Sequence, residues 1–218
     1  MSSSVLDSMA QAGIVPVIAI DSLDHALPLA DALLAGGLNA VEITFRTKAA
    51  AEVIRKLSAE RPQLITGAGT VLSPETLELA VSCGAKFAVA PGLNPRVVQA
   101  AKDSGLPFIP GVATPSDIER GLELGCRILK FFPAEALGGV SLLSAFAGPY
   151  KHTGVRFMPT GGVKTSNLAD YLALPIVACV GGTWIAKATD MAEGKWAEIT
   201  QRCRDAVSLV AQIRGGTK

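Results

Sequence analysis

The sequence predicts an α/β fold, a (β/α)₈ barrel of the TIM type formed by a single domain over residues 1–218, with a short N-terminal extension before the first strand. Short apolar segments alternate with longer amphipathic segments from Ile14 onward, as βαβ units require. The alternation occurs eight times. Eight parallel strands with crossover helices close into a barrel, whereas an open doubly wound sheet usually has fewer strands. The length of 218 residues fits one such domain.

The predicted strands are short and fairly evenly spaced. They are Ile14–Ile20, Ala40–Phe45, Leu64–Thr66, Phe87–Ala90, Phe108–Ile109, Ile128–Phe132, Arg156–Pro159 and Ile176–Val180. Helix-start signals between them are Asp21, Ser73-Pro74, Asn94-Pro95 and Thr114-Pro115. Glycines that end helices are Gly36-Gly37, Gly84, Gly105 and Gly125. The last helix, from about Met191 to Ile213, is predicted to be the longest.

The net charge and the composition argue against several classes of binding partner. Twenty basic and nineteen acidic residues leave a formal net charge of +1, so no field would attract nucleic acid or a membrane surface nonspecifically. The apolar run 13–20 is too short to span a bilayer. The four cysteines form no CxxC pair and have no nearby histidines, which predicts reduced thiols. We therefore expect a cytoplasmic protein that binds a small molecule and needs no metal or other cofactor.

A lysine lies within the apolar sixth strand. A period of two places Ile128, Lys130 and Phe132 on one face, so the Lys130 side chain is expected to point into the barrel. An apolar site disfavours the charged ammonium and so favours a nucleophilic amine. A lysine whose stem is buried and whose head is paired with a carboxylate would give the same pattern.

The second strand carries a carboxylate and ends near an arginine. Alternation places Glu42 on the same face as Ala40 and Thr44, which matches the barrel interior, and Glu42 there could act as an acid/base beside an inward lysine. Arg46 follows at the C-terminal end, where the active sites of these barrels assemble, and its planar fork suits a substrate carboxylate. The alternative is a structural ion pair with a solvated arginine, but a buried pair adds little stability.

Glycine-rich segments follow three of the predicted strands. The third strand ends in Gly67-Ala-Gly-Thr70, which places Thr70 beside the presumed pocket. The seventh and eighth are followed by 160–162 and 181–183, where barrels of this type often hold a phosphate. The same glycines could simply permit tight turns. If phosphate binds, the substrate is a phosphorylated sugar acid.

Seven segments, in order along nearly the whole chain, resemble the 2-keto-3-deoxy-6-phosphogluconate (KDPG) aldolase family, which is also described as having 4-hydroxy-2-oxoglutarate (KHG) aldolase activity. The segments are VEITFR, GAGTVL, APG, IPGVATPSD, LKFFPAE, FMPTGGV and VGGTWI. The resemblance implies a homotrimeric class I aldolase of the Entner–Doudoroff pathway, which splits KDPG into pyruvate and D-glyceraldehyde 3-phosphate without a metal. Cleavage of KHG to pyruvate and glyoxylate is a further implied activity.

By motif, the resemblance implies roles for ten residues. Lys130 is the Schiff-base lysine and Glu42 the acid/base. The implied substrate-binding residues are Arg46, Thr70, Pro91, Phe132, Gly161, Gly162, Gly182 and Thr183. The last four belong to the phosphate region. Position 183 is often serine in the family, so Thr183 is expected to hold phosphate slightly differently.

Three other functions fit parts of the sequence. A metal-dependent aldolase is disfavoured because neither His25 nor His152 has other ligands at metal-binding spacing. An isomerase or epimerase acting on a sugar phosphate would share the glycine turns but would not need a lysine in the sixth strand. A non-catalytic sugar-phosphate sensor remains possible on the same fold, because a fold does not determine its chemistry.

Overall fold

The computed structural model describes residues 4–215 as short parallel strands connected by helices. The strands are β1 (Ile14–Ile18), β2 (Ala40–Thr44), β3 (Ile65–Gly69), β4 (Ala88–Val89), β5 (Phe108–Ile109), β6 (Gly111–Val112), β7 (Ile128–Phe131), β8 (Arg156–Pro159) and β9 (Val180–Gly182). The α-helices are α1 (Val5–Ala12), α2 (Ala26–Ala35), α3 (Ala50–Glu60), α4 (Pro74–Ser82), α5 (Pro95–Asp103), α6 (Pro115–Glu123), α7 (Gly139–Tyr150), α8 (Leu168–Leu172), α9 (Ala188–Ala192) and α10 (Trp196–Gly215). The predicted α/β class with parallel strands is confirmed. None of the helices in this range combines the length and apolarity that a membrane span needs.

The strands form two parallel sheets. One has the order β5-β4-β3-β2-β1-β9 and the other the order β6-β7-β8. Only Pro110 separates β5 from β6, so the chain passes directly from the edge of one sheet to the edge of the other. β5 matches the fifth predicted strand, and it ends there because proline has no backbone N–H with which to continue the ladder. The separate strand β6 after Pro110 was not predicted. Near β8 and β9, single bridges pair Phe157 with Val177 and Thr160 with Gly181.

Side chains alternate between two buried clusters, as the sequence predicted for β2 and β7. Val41 and Ile43 join the large cluster that includes the buried helix faces. Ala40 and Ile128 join a smaller cluster on the opposite face of the strands. Met9 of α1 also belongs to this smaller cluster, so the N-terminal helix covers one end of it. The inward face of each strand is therefore fixed by the period of two.

The helix starts follow the predicted caps in three cases. Ser73, Asn94 and Thr114 each accept a hydrogen bond from a backbone N–H of the first turn, and proline occupies the first turn. The prediction at Asp21 was wrong: Ser22 caps a short 3₁₀ helix instead, and α2 begins three residues after that helix starts. The last helix, α10, is the longest among the described residues, as predicted, but it begins at Trp196 rather than near Met191 because the chain turns at Gly194 with a φ of 67°.

Two glycine-rich segments lie within strands, where the sequence predicted turns. The GAG segment is part of β3 and the GG segment is part of β9, which begins at Val180 rather than ending there. A Cβ on Gly67 would collide with the ring of Phe87, and a Cβ on Gly181 would collide with the side chain of Thr160. Glycine is needed at these positions because neighbouring strands fill the space of a side chain.

Arg214 of α10 connects three segments by hydrogen bonds. It lies near the N-terminal ends of the strands, away from the pocket. Its guanidinium donates to the carbonyls of Ala10 at 2.6 Å, Gln11 at 2.7 Å and Ala178 at 3.0 Å. Burial lowers the pKa of this arginine, but the group stays charged at neutral pH. One side chain therefore connects the last helix, the first helix and the segment that leads into β9.

The four cysteines, Cys83, Cys126, Cys179 and Cys203, are free and buried. Burial raises the pKa of both Cys179 and Cys203 to about 12, so these thiols stay protonated at neutral pH.

Candidate active site

A pocket of about 100 Å³ opens where the strands end. Its walls are Val17, Glu42, Thr44, Arg46, Thr70, Pro91, Lys130, Phe132, Thr160, Gly161 and Thr183. Most of these residues lie at, or just after, the C-terminal ends of their strands, which is the end where active sites assemble in barrels of this kind. Eight of the ten residues that the sequence singled out lie here together, and Gly162 and Gly182 do not line the pocket.

Lys130 and Glu42 meet inside the pocket, although 88 positions separate them in the chain. The Lys130 Nζ atom donates to Glu42 Oε1 at 3.3 Å, and their side chains are only 6% and 1% exposed. Nζ also lies 5.5 Å from the centre of the Phe132 ring, whose face attracts a cation. The two charges do form an ion pair, but burying such a pair is a poor way to stabilise a fold. Their position in an open pocket favours a chemical role.

The second oxygen of Glu42 is buried without a partner. Glu42 Oε2 makes no hydrogen bond among the described residues, although it is shielded from solvent. A buried acceptor left unpaired reduces stability by about 1–3 kcal/mol. Glu42 Oε2 can therefore accept a hydrogen bond from a hydroxyl group of a ligand in the pocket and then take its proton.

Arg46 is held at the pocket mouth by a chain of hydrogen bonds. Its Nε donates to Thr44 Oγ1 at 3.1 Å, and the Thr44 hydroxyl donates to the carbonyl of Ile18 at 3.2 Å. Across residues 4–215 the two terminal nitrogens of Arg46 have neither a hydrogen bond nor an ion pair. The guanidinium thus offers a free pair of donors, and that arrangement matches a carboxylate.

Thr70 has an unusual backbone conformation. Its φ is 60°, and within residues 4–215 it is the one residue other than glycine with a positive φ. For a β-branched residue this left-handed conformation is strained. Strain of this kind is typical of ligand-binding positions, where surrounding structure holds the residue in place. Thr70 lines the same pocket as Arg46.

The glycine and threonine residues at the other side of the pocket divide into two groups. Gly161 and Thr183 line it, and Gly161 follows β8 with a φ of 94°. Gly162 comes next with a φ of 86° and is exposed at the mouth. Gly182 is buried in β9, and the ring of Trp184 occupies the space on its side-chain face. A side chain at Gly182 would therefore meet the Trp184 ring rather than enter the pocket.

Three pocket residues were given no role from the sequence, namely Val17, Thr44 and Thr160. The signal for each is the period of two, since Val17 lies two residues beyond Val15 of the smaller cluster. Thr160 likewise lies two residues beyond Met158, which pairs with Lys130 across β7 and β8. Thr44 was already placed on the inward face with Glu42. The same alternation, applied within the first predicted strand and to the residue just after the seventh, would have found Val17 and Thr160.

Metal-ligating side chains do not gather at this site. Within residues 4–215 there is no group of three or more His, Cys, Asp or Glu side chains placed to hold a metal ion. His25 instead packs edge-on against the Trp196 ring, with the ring centres 5.8 Å apart. His152 lies in a short 3₁₀ helix, Lys151–Thr153.

Comparison with known proteins agrees with this geometry. A family model described as "Aldolase: KDPG and KHG aldolase" matches residues 5–202. The 2-dehydro-3-deoxy-phosphogluconate aldolase of Pseudomonas aeruginosa is 48% identical over 204 residues, which cover 94% of this chain and 92% of the relative.

Two solved structures are close in fold. The KDPG aldolase of Legionella pneumophila, with pyruvate captured at low pH as a covalent carbinolamine intermediate, has a TM-score of 0.88 and 41% identity over 91% of this chain and 96% of that one. The 2-keto-3-deoxy-6-phosphogluconate aldolase of Zymomonas mobilis ZM4, with 3-phosphoglycerate, has a TM-score of 0.88 and 38% identity over 94% of this chain and 96% of that one. This chain belongs to the KDPG and KHG aldolase family.

Proposed function

We propose that the protein is a class I aldolase that cleaves KDPG to pyruvate and D-glyceraldehyde 3-phosphate through a Schiff base on Lys130. The observation that carries the proposal is the buried contact between Lys130 Nζ and Glu42 Oε1 inside an open pocket. Its relatives add support, because a covalent pyruvate adduct is known for the Legionella pneumophila enzyme. Cleavage of KHG to pyruvate and glyoxylate is the second activity that the family description supports.

The reaction begins at the C2 ketone of the substrate. Neutral Lys130 attacks C2, and Glu42 relays protons so that the carbinolamine loses water and becomes an iminium. Glu42 then takes the proton of the C4 hydroxyl, a step for which its unpartnered Oε2 is suited. The C3–C4 bond breaks, and its electrons move into the iminium. The aldehyde departs as D-glyceraldehyde 3-phosphate.

The remaining steps release pyruvate. The enamine left on Lys130 takes a proton at C3, which regenerates an iminium. Water adds to C2, and the carbinolamine collapses to free amine and pyruvate. The steps need no oxidant or reductant, because the electrons of the broken bond return to carbon as the C3–H bond. The iminium on Lys130 is the electron acceptor that a metal ion would otherwise supply.

The other pocket residues position the two ends of the substrate. We assign Arg46 to the keto-acid carboxylate, with Thr70 beside it, and Pro91 and Phe132 to the pocket wall. The phosphate is assigned to the opposite side, formed by Gly161, Gly162, Gly182 and Thr183. Backbone N–H groups at glycine-rich turns suit such an anion. Binding of 3-phosphoglycerate by the Zymomonas mobilis enzyme supports a phosphate site in the family.

The architecture is proposed to be one closed (β/α)₈ barrel domain over residues 1–218, with α1 as the short N-terminal extension. Support comes from the continuity of β5 and β6 at Pro110 and from the bridges between β8 and the β9 segment. We further infer a cytoplasmic homotrimer acting in the Entner–Doudoroff pathway, with small molecules as its ligands and no nucleic-acid or membrane partner. Analytical ultracentrifugation tests the trimer, since a purely monomeric protein would contradict it.

The central test is reductive trapping. The protein is incubated with pyruvate and borohydride, and peptide mass spectrometry locates the added mass, because reduction fixes a lysine imine irreversibly. We expect the adduct on Lys130, and Lys130→Ala should lose both the adduct and KDPG turnover. Lys164→Ala, which removes an exposed lysine at the same end of the strands, is the matched control and should keep the adduct.

The outcome separates the rival functions. A folded protein that binds sugar phosphates but forms no adduct would favour a sugar-phosphate isomerase or a non-catalytic sensor. Turnover that is lost on adding a chelator would favour a metal-dependent aldolase. Substantial KDPG turnover by Lys130→Ala would refute the Schiff-base mechanism.

A further inference from the structure

A second polar contact lies beside the pocket, and the proposed chemistry does not use it. Glu135 follows β7 in a short 3₁₀ helix, Glu135–Leu137, and Tyr171 lies in α8. The Tyr171 hydroxyl donates a short hydrogen bond to Glu135 Oε1. Tyr171 is completely buried, whereas Glu135 is exposed near the mouth of the pocket. A buried tyrosine therefore holds one particular orientation of a surface carboxylate.

Glu135 supports the turn that carries Gly161 and Gly162. Its backbone N–H donates to the carbonyl of Gly161 at 3.0 Å. Its Cβ and Cγ fill the space where a Gly162 side chain would be. The carbonyl of Gly162 is held from another direction by Asn167 Nδ2, at 3.3 Å.

Both carbonyls of this turn are thus occupied by partners of the protein itself. In the described part of the chain, the N–H of Gly162 donates to no acceptor. An unoccupied N–H at an exposed glycine turn is a suitable donor to an anion. The turn that Glu135 supports is therefore the one that can contribute such a donor.

The charge of Glu135 creates a conflict that Tyr171 resolves. A carboxylate turned toward Gly162 would repel a bound phosphate. The side chain instead passes Gly162 with its carbon atoms and ends against Gly139, where a Cβ would lie 2.7 Å from Oε1. Burial raises the pKa of Tyr171 well above its ordinary value, and the Glu135 carboxylate raises it further. The hydroxyl therefore remains a donor throughout the neutral range.

We propose that Glu135 and Tyr171 are positioning residues for the phosphate end of the substrate. Glu135 supports the Gly161–Gly162 turn from beneath, and Tyr171 holds the Glu135 carboxylate away from the phosphate. The inference rests on the proposed function, because it requires a phosphorylated substrate at this turn. It deepens that function by naming two residues that favour a phosphorylated substrate over the same molecule without phosphate.

The test compares KDPG with 2-keto-3-deoxygluconate, the same sugar acid without the phosphate. Tyr171→Phe keeps the ring but releases the Glu135 carboxylate. We expect the KM for KDPG to rise about fivefold to tenfold, with kcat nearly unchanged, because the freed charge meets the phosphate. The kcat/KM for the unphosphorylated substrate should change less than about twofold. In the double variant Tyr171→Phe/Glu135→Gln, which lacks the freed charge, the KM for KDPG should return close to the wild-type value.

The chain offers a matched control. The Tyr150 hydroxyl donates to Glu119 Oε1 at 3.0 Å, a second tyrosine–glutamate bond between α7 and α6 that lies outside the pocket. Tyr150→Phe should leave the preference for KDPG unchanged. If Tyr171→Phe does not fold, Glu135→Ala tests the supporting role instead, since it removes Cγ and the carboxylate beside Gly162 from an exposed site and keeps only Cβ. The KM for KDPG should then rise while the kcat/KM for the unphosphorylated substrate stays nearly unchanged.

Each outcome separates the inference from the function on which it rests. Equal losses on both substrates, or no loss on either, would overturn the positioning role while pyruvate trapping on Lys130 stays intact. A rise in KM that Glu135→Gln fails to rescue would overturn the charge argument. A wild-type protein that neither traps pyruvate nor cleaves KDPG would remove the proposed function itself.

Discussion

Gly69 faces the carboxylate of Glu42 across the β2–β3 pair. A Cβ on Gly69 would collide with Oε1 and would lie 2.6 Å from Cγ and 2.7 Å from the carboxylate carbon. The register places Gly69 directly opposite Thr44, two residues beyond Glu42 on the same inward face. The position of the proposed acid/base therefore depends on the absence of a side chain on the adjacent strand.

Gly69→Ala should reduce kcat for KDPG cleavage by about 10²-fold or more, because a misplaced general acid/base loses most of its contribution. The added methyl group pushes the Glu42 carboxylate away from Lys130 without altering either residue. Steady-state kinetics with circular dichroism as a check of folding measures the effect. Gly92→Ala is the control, since a Cβ there meets no atom within 4 Å. Wild-type kcat in Gly69→Ala would refute the dependence.

Arg46→Lys should raise KM for KDPG about tenfold to a hundredfold, with a smaller change in kcat. Lysine keeps the charge but loses the planar fork and the bond from Nε to Thr44, which fixes the guanidinium. A hydrogen bond to a charged group contributes about 1.5–3 kcal/mol, which corresponds to this range. Arg120→Lys, in an exposed pair with Glu123, is the matched control and should behave as wild type. An unchanged KM would remove Arg46 from the carboxylate site.

Asp190→Asn should make stability less dependent on pH in the acid range. Asp190 accepts from Arg202 at 2.7 Å, and this hydrogen bond lowers the pKa of Asp190 below its ordinary value of 3.8. A depressed pKa adds stability above pH 3.8, and that stability is lost as the pH falls through the lower, folded-state pKa. At pH 7 the variant should lose about 1 kcal/mol of unfolding free energy.

Urea unfolding of Asp190→Asn and wild type at several pH values checks this expectation. The difference between them should shrink below pH 3.8 and stay constant above about pH 5. Glu193→Gln, which removes the exposed pair with Lys195, should show almost no difference at any pH. A difference that grows toward acid would mean that the sign of the linkage is reversed.

Arg214→Ala should destabilise the fold by about 2–4 kcal/mol without changing KM. It removes three hydrogen bonds to backbone carbonyls of α1 and of the segment before β9, at the end of the fold away from the pocket. Chemical unfolding and steady-state kinetics on the same preparation test both parts. Arg204→Ala, on the exposed side of α10, is the matched control. A raised KM would indicate that the structure around Arg214 affects substrate binding in the pocket.

The features that follow from local sequence were predictable, and those that depend on partners from distant segments were not. The inward direction of Glu42 and Lys130 follows from a period of two within an apolar strand, and the pocket brings them together. The end of β5 before Pro110 was likewise predicted, and it follows from local sequence because proline cannot continue a ladder. By contrast, the glycines of β3 were read as a turn.

The reason for that error is physical. Whether a glycine belongs to a turn or to a strand depends on what occupies the neighbouring space, and at Gly67 this is the ring of Phe87, which immediately precedes β4. The contact between Glu135 and Tyr171 spans 36 positions, so no local pattern indicates it. The roles of individual pocket residues stay predictions, since proximity alone does not establish which atoms react.

The four buried thiols allow the local and global unfolding of this protein to be measured by chemical labelling. A soluble thiol-reactive dye can label Cys83, Cys126, Cys179 or Cys203 only when the surrounding packing separates. The four positions lie on different parts of the chain, from the end of α4 to the middle of α10. The order in which they become labelled would therefore reveal whether the fold opens as a whole or one segment at a time.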